Sequence, residues 1–217
     1  MPGTDQQTAT SDRAKDHALL CKAVREAGAL ALTYYKADAK HWEKSKGDPV
    51  SEADLAVNAL LAERLQEARP GYGWLSEETE DDARRLTRSR VWVIDPIDGT
   101  INFAHEHKHV AISIGLFRGG ERVGGVVNAP FLQEFYWAGK GMGAYCNDRS
   151  IKVSGRDDLS RALVATGFPY KKDDLDVLLA IVRQILSHCQ DMRRAGSAAL
   201  DLCWVAAGRL DGYYECV

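Results

Sequence analysis

Between Ala14 and Tyr35, apolar residues recur at Leu20, Ala23, Val24, Ala27, Leu30, Ala31 and Tyr34. Steps of three and four predict a helix with one buried stripe. The stretch before it, Met1 to Asp12, is polar and aperiodic, so residues 1–13 are expected to form a disordered tail. Lys46-Gly47-Asp48-Pro49 breaks the chain. Ser51, followed three residues later by Asp54, is a helix-start signal related to the capping box. The helix behind it places Val57, Leu60, Leu61, Leu65 and Ala68 on one side, and Arg69-Pro70-Gly71 stops it.

Short apolar runs then take over. Tyr72 to Leu75 and Val91 to Ile94 each lead straight into acidic residues. Val110 to Phe117, Arg122 to Asn128 and Glu134 to Ala138 alternate like strands, with Gly119-Gly120 and Asn128 to Leu132 as turns, which reads as an antiparallel meander. Past Gly155 the pattern changes. Ala162 to Thr166 reads as a buried strand, Asp174 to Cys189 and Ser197 to Ala207 as helices, Gly208 as a helix stop and Asp211 to Glu215 as the start of a strand. Helices, a meander, then strand alternating with helix indicate a mixed α/β fold in two sub-domains, residues 14–153 and 154–217.

Composition narrows the class. Hydrophobic residues make up 45% and charged residues 27% of the 217, as in an ordinary soluble domain. A net charge of −3 argues against a nucleic-acid partner. The cluster Arg84, Arg85, Arg88 and Arg90 follows an acidic run and reads as a solvated loop. Cys21, Cys146, Cys189, Cys203 and Cys216 are scattered, with no C-x-x-C pair, so neither a disulfide framework nor a zinc knuckle is indicated. No signal peptide or membrane-spanning run is found, and the cytoplasm is the expected compartment, with no membrane partner.

The strongest chemical signal is Asp95-Pro96-Ile97-Asp98-Gly99-Thr100, directly behind an apolar strand. Pro96, without an amide hydrogen, is expected to end that strand and leave two carboxylates at its tip. Gly99-Thr100 can open a helix whose amides face an anion. Oxygen ligands at such a point suit a hard divalent cation, with a phosphate completing its shell. The plainer reading is a capped turn. Glu77 also ends a short strand and would stand beside Asp95 if the two strands are neighbours. Asp54 can be no more than a helix cap. His105, His107 and His109 alternate as zinc ligands could, but a surface loop is the better reading. Trp92, Trp137 and Trp204 read as core residues, and Cys203 as a small core side chain.

Together these residues resemble the inositol monophosphatase family. The likeness runs from about Lys15 to the last residue in four ordered motifs. These are Pro49 to Asp54, Glu77-Glu78, the D-P-I-D-G-T-x-N-F signature from Asp95 to Phe103, and Ala195 to Ala199 continuing to Tyr213-Tyr214-Glu215. The resemblance implies a layered αβαβα sandwich and Mg²⁺ held by Glu77, Asp95, Asp98 and the Ile97 carbonyl. It implies that Thr100, supported by Asp54, positions and helps deprotonate the attacking water, with Glu77 also in the catalytic set. Gly99 and Thr100 would cradle the phosphate. Ser197, Ala198, Glu215 and Asp98 would meet the substrate's alcohol. Lys44 or Lys46 would approach the site. The reaction implied is hydrolysis of a small polyol phosphate by metal-activated water, with lithium sensitivity and a homodimer usual in the family.

Asn102-Phe103 and Gly167-Phe168-Pro169-Tyr170 favour myo-inositol 1-phosphate, whereas Gly73 to Thr79 has the flavour of a histidinol-phosphate phosphatase. The family's W-D-x-A-A-G motif, which supplies a further metal-binding aspartate, is not found before Val217. A weakened second metal site, an incomplete second sub-domain and an exposed edge strand near Tyr213 are therefore expected. The same feature supports a non-catalytic alternative, a truncated paralogue that binds metal, phosphate or a full-length partner.

Overall fold

The computed structural model describes residues 4–35, 41–45, 48–169 and 175–215. Helix α1 (Thr4–Tyr34) is followed by the antiparallel pair β1 (His41–Ser45) and β2 (Asp48–Ser51), then α2 (Glu52–Ala68). Next come β3 (Gly73–Ser76), β4 (Arg90–Asp98), the short α3 (Thr100–Ala104), β5 (Ala111–Arg118), β6 (Glu121–Ala129), β7 (Glu134–Gly139), β8 (Gly143–Cys146) and β9 (Arg149–Ser150). These strands make one seven-stranded sheet in chain order; β3 and β4 are parallel and every later pair is antiparallel. The last part holds β10 (Leu163–Thr166), α4 (Leu175–Leu186), β11 (Asp191–Arg193), α5 (Ala198–Ala206) and β12 (Gly212–Tyr214). Its three strands form a parallel sheet in the order β11-β10-β12.

The expected meander and helices are present, and three expectations change. Helix α1 starts at Thr4 rather than Ala14. Thr4 to Asp12 carries no Gly or Pro, and Asp12 reaches the Arg90 guanidinium at 3.5 Å, which gives the end of this polar stretch a tertiary contact. Pro96 does not end its strand. β4 continues to Asp98 through a bulge, since Asp95 faces Ser113 while Asp98 faces Ala111. A bulge tolerates a residue with no amide hydrogen. Arg90 belongs to β4 rather than to the arginine loop, whereas Arg84 and Arg85 pair with Asp82 and Asp81 on the surface.

The main core lies between α1, α2 and one face of the large sheet, where Val24, Val57, Leu61, Leu65, Trp92, Ile112 and Ile114 are buried. A buried Asp16 on α1 accepts from Arg69 Nε at 2.7 Å and from the Tyr72 hydroxyl at 2.8 Å, locking the exit of α2 to α1. Helix α5 covers part of the opposite face through Leu200, packed with Ala111, Ala129 and Tyr136. Both faces of the sheet centre are thus in contact with helix, and the end of β4 opens beside the start of α5.

The link into the smaller sheet is polar. Asp211 accepts from Ser154 Oγ at 2.6 Å, Leu163 N at 2.8 Å and Arg156 Nε at 3.2 Å. These donors, the Ser154 hydroxyl first, hold its carboxyl below the ordinary range. A depressed folded-state pKa adds stability that is complete above the unfolded value of about 3.9 and is lost as pH falls through the folded value. Asp211→Asn is therefore expected to lower stability at pH 7 and to leave it nearly unchanged near pH 2, as denaturant melts at the two pH values would show. Equal loss at both would assign the effect to packing.

Candidate active site

The site is assembled from five chain segments. The β3–β4 pairing runs to Ser76 beside Ile94, and Glu77 N continues it by donating to the Ile94 carbonyl at 3.3 Å. Glu77 and Asp95 are therefore neighbours at the ends of parallel strands. The bulge at Pro96–Ile97 then acts on the carboxylates. In a regular strand, residues three apart face opposite sides; one extra residue resets the alternation. Asp95 and Asp98 consequently lie close enough to repel each other.

Asp95 is the most strained of these groups electrostatically. Burial pushes its carboxyl well above the usual range, and the charges of Asp98, Glu77 and Asp54 push it further. Its Oδ1 is buried and has no hydrogen-bond partner. Glu77 lies close enough to Asp95 to raise its carboxyl further. A buried oxygen without a donor, among carboxylates that repel one another, is an environment suited to a cation. Among the described residues, no three His, Cys, Asp or Glu side chains already converge as a closed metal cage. An Mg²⁺-type ion does not require one, because it keeps several waters and is held by one or two carboxylates plus substrate oxygens. An all-oxygen donor set also fits a hard cation better than a soft one.

A second group stands behind the first. Ser51 caps α2 in a full capping box, its amide and hydroxyl donating to Asp54 Oδ2 at 2.9 and 2.5 Å. Asp54 Oδ1 faces outward from the cap and lies 3.1 Å from Thr100 Oγ1. The Ile97 carbonyl is also 3.1 Å from that hydroxyl. One hydroxyl proton serves one acceptor at a time. When it goes to Asp54, the oxygen's lone pairs and the Ile97 carbonyl are left to other partners. Thr100 and Asp54 are both buried. Burial raises the Asp54 carboxyl, partly offset by the Ser51 and Thr100 donors.

The third group belongs to α5. Ser197 is its N-cap, and its hydroxyl donates to Asp98 Oδ2 at 2.7 Å while Ala199 N donates to the same oxygen at 2.6 Å. The Ala198 amide donates to Asp98 as well. Asp98 is thus the anion at the start of α5, where free amides and the helix dipole favour one. Burial raises its carboxyl, and the α5 donors pull it back. Glu215, just past β12, adds its charge to both Asp98 and Asp201. It accepts from the Tyr213 hydroxyl and lies against Gly167, where an added Cβ would fall 2.1 Å from its Oε1.

All the expected site residues therefore come to one end of the large sheet: Glu77, Asp95, Ile97, Asp98, Gly99, Thr100 and Asp54 on one side, Ser197, Ala198 and Glu215 on the other. The Lys44 side chain and Lys46 lie outside the described residues, as does Cys216. Helix α3 is short, five residues behind a Gly99 at φ 100°. Anion binding there would rest on individual amides rather than on a helix dipole. His105, His107 and His109 are exposed and do not share a centre; the His109 ring packs on Trp204 at 5.7 Å. Asp201 escaped the sequence reading, whereas Ser51 entered it only as a helix start and Asn102 and Gly167 only as markers of the substrate branch. Asp201 is buried, with an unpartnered Oδ1 and a carboxyl pushed up to about 6, chiefly by burial. Asn102 sat inside the signature, which was the one available signal.

The chain is similar to known proteins over most of its length. An inositol-1-monophosphatase from Rhizobium meliloti (strain 1021) is 43% identical over 173 residues, covering 79% of this chain and 65% of its own length. The chain thus spans just under two thirds of that relative. A protein from Neisseria meningitidis serogroup B, named a putative Nus factor SuhB, is 39% identical over 201 residues, 89% of this chain and 75% of its own. Among solved structures, the extragenic suppressor protein suhB from Bartonella henselae superposes with a TM-score of 0.87 at 35% identity, covering 92% of this chain and 78% of that one. The sequence model of the inositol monophosphatase family matches residues 12–216, and the chain belongs to that family.

Proposed function

We propose that this protein is a Mg²⁺-dependent phosphomonoester hydrolase acting on a small polyol phosphate, with myo-inositol 1-phosphate as the leading substrate. The observation that carries the reading is the buried, unpartnered Asp95 Oδ1 among Asp98, Glu77 and Asp54. Glu77, Asp95, Asp98 and the Ile97 carbonyl would hold the cation. When bound, it would supply Lewis-acid neutralisation of phosphoryl charge and a lowered water pKa.

The protein's own groups account for the remaining steps. Thr100 Oγ1, donating to Asp54, offers its lone pairs to an incoming water and orients it. Asp54 is held by two Ser51 donors and can take up part of the proton's charge through Thr100. The Gly99–Thr100 amides would bind phosphate oxygens. Asp98, fixed by Ser197 and Ala199, and Glu215 across from it would accept hydrogen bonds from the alcohol.

The nearest rival substrate is histidinol phosphate. An alcohol carrying an amine would gain from the same carboxylates, so the two esters must be compared directly. Steady-state kinetics at saturating Mg²⁺ are expected to give the higher kcat/KM for inositol 1-phosphate, and a reversed order would reassign the substrate. A role of the kind named for the Neisseria relative, a Nus factor, is compatible with the same fold and is not the reading the site itself favours.

A further inference from the structure

The signature residue Asn102 has no part in the chemistry described above, yet it joins the two halves of the site. Its Nδ2 donates to the His109 carbonyl at 2.7 Å and to the Ala195 carbonyl at 2.9 Å. An amide nitrogen has two protons, and both are used. The partners lie 7 and 93 residues away along the chain. Asparagine alone meets the requirement: aspartate has the length without a donor, and glutamine has the donor with an extra methylene.

The surroundings are built around this amide. Gly196, at φ 82°, presents its bare Cα to it; an added Cβ would sit 2.9 Å from Nδ2 and 3.1 Å from Oδ1. Gly99, at φ 100°, is as tightly placed, its absent Cβ falling 2.9 Å from the His109 carbonyl and 3.1 Å from the Gly196 carbonyl. The Gly99 and Gly196 turns therefore touch backbone to backbone, with Asn102 at the junction. On the other side of Ala195, its amide lies close enough to the buried Asp201 to lower that carboxyl against the effect of burial.

The two turns have different duties. Gly99–Thr100 lies on the phosphate side and has its own anchor, Thr100 on Asp54. Ala195–Ser197 leads into the α5 start on the alcohol side and reaches the phosphate-side turn through Asn102 and the Ser197–Asp98 bond. We infer that Asn102 is a positioning residue that sets the alcohol-recognising turn against the phosphate-binding turn, and so governs discrimination among alcohols rather than phosphate binding. The inference rests on the phosphomonoesterase reading.

The test compares inositol 1-phosphate with p-nitrophenyl phosphate, an ester whose leaving group makes no use of polyol contacts, in wild type, Asn102→Asp and Asn102→Ser. A displacement of about 1 Å can cost on the order of 10²-fold in rate. kcat/KM for inositol 1-phosphate should therefore fall by about 10–10² in Asn102→Asp. Turnover of the aryl ester and inhibition by inorganic phosphate should change far less. Asn102→Ser, which keeps one donor at shorter reach, should fall between, and it provides a milder variant should the aspartate fold poorly. The ratio of the two kcat/KM values does not depend on how much of a preparation is folded. An unchanged ratio in both variants, with an active wild type, overturns the inference and leaves the phosphatase reading standing. A folded wild type that hydrolyses neither ester overturns both.

Discussion

Asp95→Asn is expected to remove Mg²⁺-dependent phosphate release by at least about 10²–10³-fold, the range seen when a single group facing transition-state charge is lost. The same change should raise the thermal midpoint of metal-free protein. The wild-type carboxylate is buried with an unpartnered Oδ1 and repelled by Asp98, Glu77 and Asp54. Replacing it by a neutral amide removes that repulsion without changing volume. Sites shaped for function commonly sacrifice stability in this manner. Added Mg²⁺ should stabilise the wild type, as a ligand taken up by the folded state alone does, and stabilise the variant much less. Thermal melts with EDTA and with Mg²⁺, run beside the activity assay, separate the cases. A variant that loses activity and is also less stable without metal would make Asp95 a fold residue.

The second large effect concerns Thr100. Thr100→Val keeps the shape and removes the hydroxyl, and the expected loss in kcat is about 10²–10⁴-fold, the span of positioned proton-transfer groups. Thr100→Ser should retain most activity, since Oγ stays within reach of Asp54 and the Ile97 carbonyl. KM and Mg²⁺ affinity should move little in either, because neither rests on the hydroxyl. Steady-state kinetics with both variants check this. A larger loss in Ser than in Val would locate the effect in the packing of the β-branched methyl, which valine keeps and serine lacks.

These two residues were legible from the chain itself. The Ser51-x-x-Asp54 box and Asp95-Pro96-Ile97-Asp98-Gly99-Thr100 are local patterns whose chemistry depends on neighbours within five residues. The meander was legible for the same reason, as alternation with Gly-rich turns. What the bulge does was not. A proline behind an apolar run reads as a strand end, and only the partner strand β5, with Asp95 opposite Ser113 and Asp98 opposite Ala111, shows the extra residue being absorbed. The β1–β2 hairpin and β11 escaped because Asp48-Pro49 and Asp191-Met192-Arg193 are short and polar, and tertiary pairing rather than propensity makes them strands. Asn102 was visible in the signature but its bridging contact was not, since its partner Ala195 lies in another motif. Gly167 and Asp201 likewise acquire meaning only once β12 and α5 bring Glu215 and Ala195 beside them.

The separation of roles in this site follows from which backbone holds each carboxylate. Asp54 is bound to a helix cap, Asp98 to a helix start, and Asp95 to nothing through its Oδ1. Two carboxylates are therefore fixed by the protein's own donors, and the third is left for a ligand. That asymmetry makes Asp95 the focus of the account.

Phosphate release from myo-inositol 1-phosphate by the purified chain, measured with Mg²⁺ and with EDTA, decides whether this site is a metal-dependent phosphatase. Turnover is expected with Mg²⁺, disappearing in EDTA and returning when the ion is restored. No turnover by a folded, monodisperse sample under either condition, on histidinol phosphate as well, would contradict it.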